Sequence, residues 1–290
     1  MPEYGWLQRR LLLTGVVCLA CALAAMGQSA NETSMSPSGH ELVRRAVQNE
    51  LKSYDSPIRY MYRLRKQTPN GSSVKQVAET RDGQVAYLLL MNDQPLNDEQ
   101  RRIEDQKNQK LLNSPDEQRR RLKEQKEDER RANSIVRALP DAFIYEFDGP
   151  SDEPHVVRLR FRPNPSFDPS DRETQVLKGM AGNMYIDTAA NRMKRMDGNL
   201  IDDVNFGWGF FGKLHKGGHF EIRESDVGDG NWQVTYSNLD FTGKVLLFKK
   251  LRIKETQEMS DFHRIPENLS YSQGFELLRK ENQQKVSAKR

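Results

Sequence analysis

Between Gly182 and Lys254 apolar residues recur at alternate positions in short runs broken by turn chemistry, which predicts one continuous antiparallel meander. Met184 and Ile186 alternate with polar neighbours before the turn Asp187-Thr188-Ala189-Ala190-Asn191, and Asn191 to Met196 returns. Lys216-Gly217-Gly218 then joins the aromatic run from Phe206 to Leu214 to a strand carrying Phe220 and Ile222. After Gly228-Asp229-Gly230, the residues Trp232, Val234 and Tyr236 share a face. Leu239 and Phe241 fall on odd numbers, so the face is expected to switch after Ser237-Asn238, as a bulge would make it. Val245 to Lys254 closes the run, and a sheet this long and aromatic is expected to curve around something.

The flanking pattern adds elements to both sides. His40 to Tyr54 reads as an amphipathic helix with Leu42, Val43, Ala46 and Leu51 near one side. Ile58, Tyr60, Tyr62 and Leu64 alternate with Arg59, Met61, Arg63 and Arg65, predicting a strand with one buried and one wet face. Val74 to Thr80 and Val85 to Met91 follow around the Asp82-Gly83 turn. Phe143, Tyr145 and Phe147 alternate, then Val157, Leu159 and Phe161 alternate with Arg158, Arg160 and Arg162. Long arginine stems can cover a sheet while their heads stay in water, so a solvated outer face accounts for both arginine rows. A basic surface for acidic lipid headgroups or an acidic partner is the alternative. Glu173 to Met180 fits either a short helix or an extended crossing segment, and Ser270 to Glu281 a terminal helix docked by Leu277 and Leu278.

Asn97 to Arg137 breaks the pattern, because it is dominated by Arg, Lys, Glu, Asp and Gln. Ser114-Pro115-Asp116-Glu117 supplies a cap, a proline for the first turn and acidic residues, so two helices are expected, about Asp98 to Leu112 and Pro115 to Leu139. Their few apolar residues, including Ile103, Leu122, Ile135, Val136 and Leu139, make no heptads. The expectation is a solvated helical hairpin inserted at 97–139, or a contact arm for a protein partner of the cell envelope.

The N-terminus changes the setting. Arg9 and Arg10 precede an apolar run from Leu11 to Met26, and Ala25-Met26-Gly27 fits the small-x-small pattern of signal cleavage. Residues 1–27 are therefore expected to be a signal peptide, 28–39 a disordered linker, 40–282 one domain and 283–290 a disordered tail. The rivals are an uncleaved anchor, although the run falls short of a ~20-residue span, and a lipid anchor through Cys21 in Cys18-Leu19-Ala20-Cys21. Cleavage after Gly27 removes both cysteines, so the exported domain would have no disulfide. The 290-residue chain carries a formal net charge of only +4, which does not point to nucleic acid.

Chemistry-bearing motifs are sparse. Gly207-Trp208-Gly209-Phe210-Phe211-Gly212 matches a dinucleotide spacing, but such glycines must feed a helix, and here a Lys-Gly-Gly turn follows. His215 and His219 flank that turn and are expected in solvent, not on a metal. No nucleophile elbow and no zinc-protease motif occurs, so neither a catalytic residue nor a metal or cofactor is assigned.

The export signal, the helix feeding a first strand, the long meander, Thr242-Gly243-Lys244-Val245-Leu246-Leu247-Phe248-Lys249-Lys250, and Ile265-Pro266-Glu267-Asn268-Leu269 before a last helix resemble the outer-membrane lipoprotein-sorting (LolA-like) proteins. The resemblance is strongest to their uncharacterised secreted bacterial relatives and spans about Glu41 to Leu278. It implies an incomplete antiparallel barrel around an apolar cavity lidded by helices, and carriage of lipid or acylated lipoprotein across the periplasm. The stretch from Asn97 to Arg137 departs from that layout, being longer and far more charged than a lid needs to be.

The expected fold is thus mainly β (α+β), a curved antiparallel sheet or incomplete barrel with flanking helices and a charged helical hairpin. The expected function is non-enzymatic binding or carriage of a lipid or acyl chain in the periplasm or envelope, with peripheral membrane contact. Trp208, Phe210, Phe211, Trp232 and Tyr236 are the candidate cavity lining. An envelope interaction module working through the hairpin, and an unrecognised hydrolase, are the alternatives.

Overall fold

The computed structural model describes residues 37–54, 56–206, 212–245 and 249–287. The expected signal peptide, residues 28–36 of the expected linker, both cysteines, and Trp208, Phe210 and Phe211 lie outside these residues, while Gly39, expected at the end of the linker, is already the first residue of a helix.

The chain opens with α1 (Gly39–Tyr54), then β1 (Arg59–Thr68), β2 (Gly71–Thr80), β3 (Gly83–Met91) and the two-residue β4 (Gln94–Pro95). The charged stretch forms α2 (Asp98–Leu112) and α3 (Pro115–Ala142). There follow β5 (Phe143–Pro150), β6 (Val156–Pro163), the short α4 (Arg172–Gln175) with a 3-10 turn at Val176–Gly179, β7 (Met180–Asp187) and β8 (Arg192–Leu200). The chain then runs through β9 (Val204–Phe206), β10 (Gly212–Leu214), β11 (His219–Asp226), β12 (Trp232–Val245), β13 (Lys249–Ile265) and α5 (Tyr271–Ser287). The last helix thus continues to Ser287, past the expected end at Glu281.

The strands make one open antiparallel sheet in the order β4-β3-β2-β1-β13-β12-β11-β8-β7-β6-β5, with β9 and β10 attached to β12. The expected continuous meander is interrupted at this attachment. Strand β8 pairs directly with β11, and β11 reaches only as far as Asp240 of β12, which leaves the rest of that long strand to β10. His215 accordingly donates its backbone N–H to Thr242 of β12 (2.9 Å), and His215 and His219 are not hairpin partners.

The sheet is strongly curled. One hollow touches both β3 and β7, which stand eight strands apart inclusively and would lie roughly 34 Å apart in a flat sheet at a strand spacing of about 4.8 Å. Close backbone approach helps the curl. Gly182 and Gly198 face each other across β7 and β8, and a Cβ on either would collide with a backbone carbonyl oxygen, that of Asp197 or Ala181.

Helix α1 lies on the concave side, where Leu42, Val43, Ala46 and Val47 join Leu159, Phe161, Met184 and Ile186 in the largest core cluster. A second cluster lies on the other face of β1 to β3, where Met61, Ala78 and Val85 are covered by Tyr271, Phe275 and Leu278 of α5 and by Leu111 of α2. The wet face expected for β1 is therefore covered at Met61, and it is exposed at Arg63. The arginines of β6 occupy an outer face and meet acids there: Arg160 pairs with Asp148 at 2.6 Å and Arg162 with Glu146 at 3.5 Å.

Candidate functional site

Alternation along the strands sends one set of side chains into the concavity, and α3 closes it from the other side. Ala132, Ile135, Val136 and Leu139 recur at helical spacing near the end of α3, which gives that helix one apolar stripe. The stripe faces the sheet across a cavity of about 500 Å³. From the sheet come Met193 and Met196 of β8, Phe220 of β11, Leu239 and Phe241 of β12, and Ile253 and Met259 of β13. Unbranched methionines on such a wall let it adapt to irregular apolar shapes. The charged insertion therefore supplies the lid in its second helix, contrary to the expectation of a hairpin standing in solvent. Its first half is the solvated part: Arg120 and Arg121 pair with Glu117 one turn away, at 2.6 and 3.0 Å.

Side-chain anchors hold the lid. Tyr145 donates its hydroxyl to the Leu139 carbonyl (2.7 Å), fixing the last turn of α3. Burial, with Asp141 adding to it, holds that phenol well above its ordinary pKa, so it remains a donor. On the α4 side, Ser134 donates to the Asp171 carboxylate, and Arg131 lies 3.3 Å from Glu173. Asp171 also caps α4 by accepting from the Thr174 N–H at 2.8 Å.

The polar lining comes from two places. At the end of α1, Glu50 and Tyr54 reach the cavity, with Glu224 of β11 and with Arg131, Arg172 and Glu173 on the lid side. Arg192 lies buried behind them, donating to Glu50 and standing 3.7 Å from Glu224. On β1 to β3, Glu79 accepts the Tyr60 N–H (3.1 Å) and Gln84 donates to the Tyr62 hydroxyl (2.9 Å). Among the described residues, no group of three or more His, Cys, Asp or Glu side chains is gathered as a metal ion would need. No described helix is long and apolar enough to cross a membrane.

The expected lining residues separate. Trp232 is buried and lines the cavity, as does its neighbour Val234. Tyr236 does not belong to the lining, because the bulge sits between Val234 and Tyr236 and not after Asn238. Arg223 pairs with Tyr236 and Glu224 with Val234, which leaves Thr235 as the extra residue and turns Tyr236 to the outer face. There the Arg223 guanidinium lies 4.5 Å from the Tyr236 ring centroid. Trp208, Phe210 and Phe211 lie outside the described residues. Gly212–Leu214, which follow them, form a strand and not the helix that a phosphate loop feeds.

Sequence reading missed the α3 stripe and the two methionines of β8. The stripe at positions 132, 135, 136 and 139 is only two turns long, too short to repeat as heptads. Met193 and Met196 fall out of alternation because β8 carries a bulge opposite Tyr185 and Ile186.

No family model, no curated protein and no solved structure matches the chain.

Proposed function

We propose that this chain is an exported, non-enzymatic protein of the bacterial cell envelope that binds a lipid or acyl chain, and carries it, in the hollow between the curled sheet and α3. The observation that carries this reading is the hollow itself, about 500 Å³ with apolar walls contributed by both the sheet and the lid. That volume falls in the range of roughly 300–1,000 Å³ typical of small-ligand sites. A hydrocarbon tail buried there gains about 25 cal/mol for each Å² removed from water, with no need for a polar recognition motif. The polar groups near Glu50, Glu224 and Arg131 give a headgroup somewhere to sit. The resemblance of the sequence layout to the LolA-like carriers supports the same reading, with α3 as the helix over the cavity.

The interaction-module alternative requires side chains to fill the concavity, and the hollow favours the carrier. Native mass spectrometry of protein purified without detergent, followed by lipid extraction, tests the reading. A bound amphiphile, or saturable uptake of a fluorescent fatty acid, is expected. A ligand-free protein that takes up no fatty acid overturns it.

A further inference from the structure

On the outer face of the strands that line the hollow, lysines stand beside lysines. Lys213 of β10 is the cross-strand partner of Lys244 of β12, and Lys244 is the partner of Lys250 of β13. Phe241, Leu214 and Ile253 of the same strands line the cavity, so alternation turns Lys213, Lys244 and Lys250 to the opposite side. Arg252 follows on that side, as the partner of Thr242, whereas Lys249 shares the parity of Ile253 and falls on the other face. Like charges directly opposite each other in a sheet are destabilising, so a folded chain gains nothing from this row.

Acids answer the row only at its margins. Lys213 pairs with Asp203 (2.7 Å), and Lys254 with Asp240 (3.0 Å). Lys244, Lys250 and Arg252 are exposed, and among the described residues none of them makes an ion pair. The two connections near this end that lie outside the described residues, 207–211 and 246–248, contain no acidic residue that could offset them. The arginine row of β6 is treated differently, since Arg158, Arg160 and Arg162 each have an acid within reach.

Building on the acyl-chain reading of the hollow, we infer that the Lys244, Lys250 and Arg252 cluster is a docking surface for an anionic lipid bilayer. Charge complementarity selects an acidic partner, and the placement selects a membrane. The cluster backs directly onto the strands that line an apolar cavity, and a bilayer is the acidic surface that also holds hydrocarbon tails. Contact is electrostatic and therefore weakens as salt shortens the screening length.

The test is sedimentation with vesicles of phosphatidylcholine containing increasing phosphatidylglycerol, for the purified protein and for a Lys244→Gln/Lys250→Gln/Arg252→Gln variant. The expected result is partitioning that rises with phosphatidylglycerol and falls with salt. Each lost cation should weaken it about fivefold, and all three about a hundredfold. Because the row is self-repelling, the variant should melt no lower than the parent, which separates lost docking from lost folding. Equal partitioning of variant and parent overturns the inference, and so does tighter retention by an RNA oligonucleotide or an acidic peptide at the same salt. Fatty-acid uptake measured without vesicles keeps the two readings apart. Uptake retained without vesicle binding sinks the docking surface alone. Vesicle binding that depends on these three residues, without uptake, upholds the surface and sinks the cavity reading.

Discussion

The Arg192 guanidinium of β8 donates to the Glu50 carboxylate near the end of α1, and both side chains are buried. The same guanidinium donates to the Asn49 carbonyl (2.9 Å) and the Ser53 hydroxyl (3.2 Å), so it ties the last turns of α1 to the sheet. It also stands 3.7 Å from Glu224, which makes it the cation between two carboxylates that border the hollow. Removing one partner of a buried pair leaves the other charged and desolvated, at a cost of about 3–5 kcal/mol. Arg192→Met should therefore destabilise by about that much in urea titration. Glu50→Gln should cost less, since Arg192 keeps its other acceptors. A smaller loss for Arg192→Met than for Glu50→Gln would show that the arginine is not the centre of the cluster.

The lid makes a separate prediction. Ile135 of α3 packs beside the core and lines the hollow, so a larger side chain there can extend into the cavity. Ile135→Trp should lower fatty-acid affinity at least tenfold, about 1.4 kcal/mol, while the melting temperature stays level or rises. Unchanged affinity would mean that the ligand does not lie under α3.

How the sequence led to these elements, and where it did not, follows from the range of the forces involved. The bounds of α2, Asp98 and Leu112, follow from local signals: Ser114-Pro115 starts the next helix and so ends this one, and a capping box of Asn97 and Gln100 fixes its start. The alternating strands were readable because the pleat repeats every second residue. The attachment of β10 to β12, in contrast, depends on how far β11 extends along its neighbour, and no local pattern encodes that. The bulge on β12 was foreseen but placed too late. Parity shows that a face switches between Val234 and Leu239, and only the pairing with Arg223 and Glu224 fixes where. The lid was missed for a different reason: α3 is charged over most of its length, and its composition concealed the single stripe that packs.

That relocated bulge separates two aromatic residues with the same apparent pattern. Trp232 is buried against the hollow, and truncating it to Ala should cost about 3–5 kcal/mol and reduce fatty-acid uptake. Tyr236 contacts Arg223 on the outer face, where such a contact is worth about 0.5–1 kcal/mol. Tyr236→Ala should therefore leave uptake unchanged. Equal losses of uptake in the two variants, measured by fluorescence titration, would place Tyr236 back in the cavity.

The clasp between α3 and α4 should respond to acid. Burial alone would raise the Asp171 pKa, but hydrogen bonds from Ser134, from the Thr174 N–H and from the Thr174 hydroxyl, with Arg130 nearby, together hold it below the ordinary carboxylate value. A carboxyl whose folded pKa is depressed contributes stability above its unfolded value of about 3.9, and that contribution is lost as pH falls through the folded value. Hydrogen exchange over residues 131–139, with α5 as the internal reference, should therefore quicken as the pH drops below about 4. Ser134→Ala removes one of the donors, so its lid should exchange faster at neutral pH and show a smaller acid step. A step of the same size in both proteins would assign the loosening to another carboxylate.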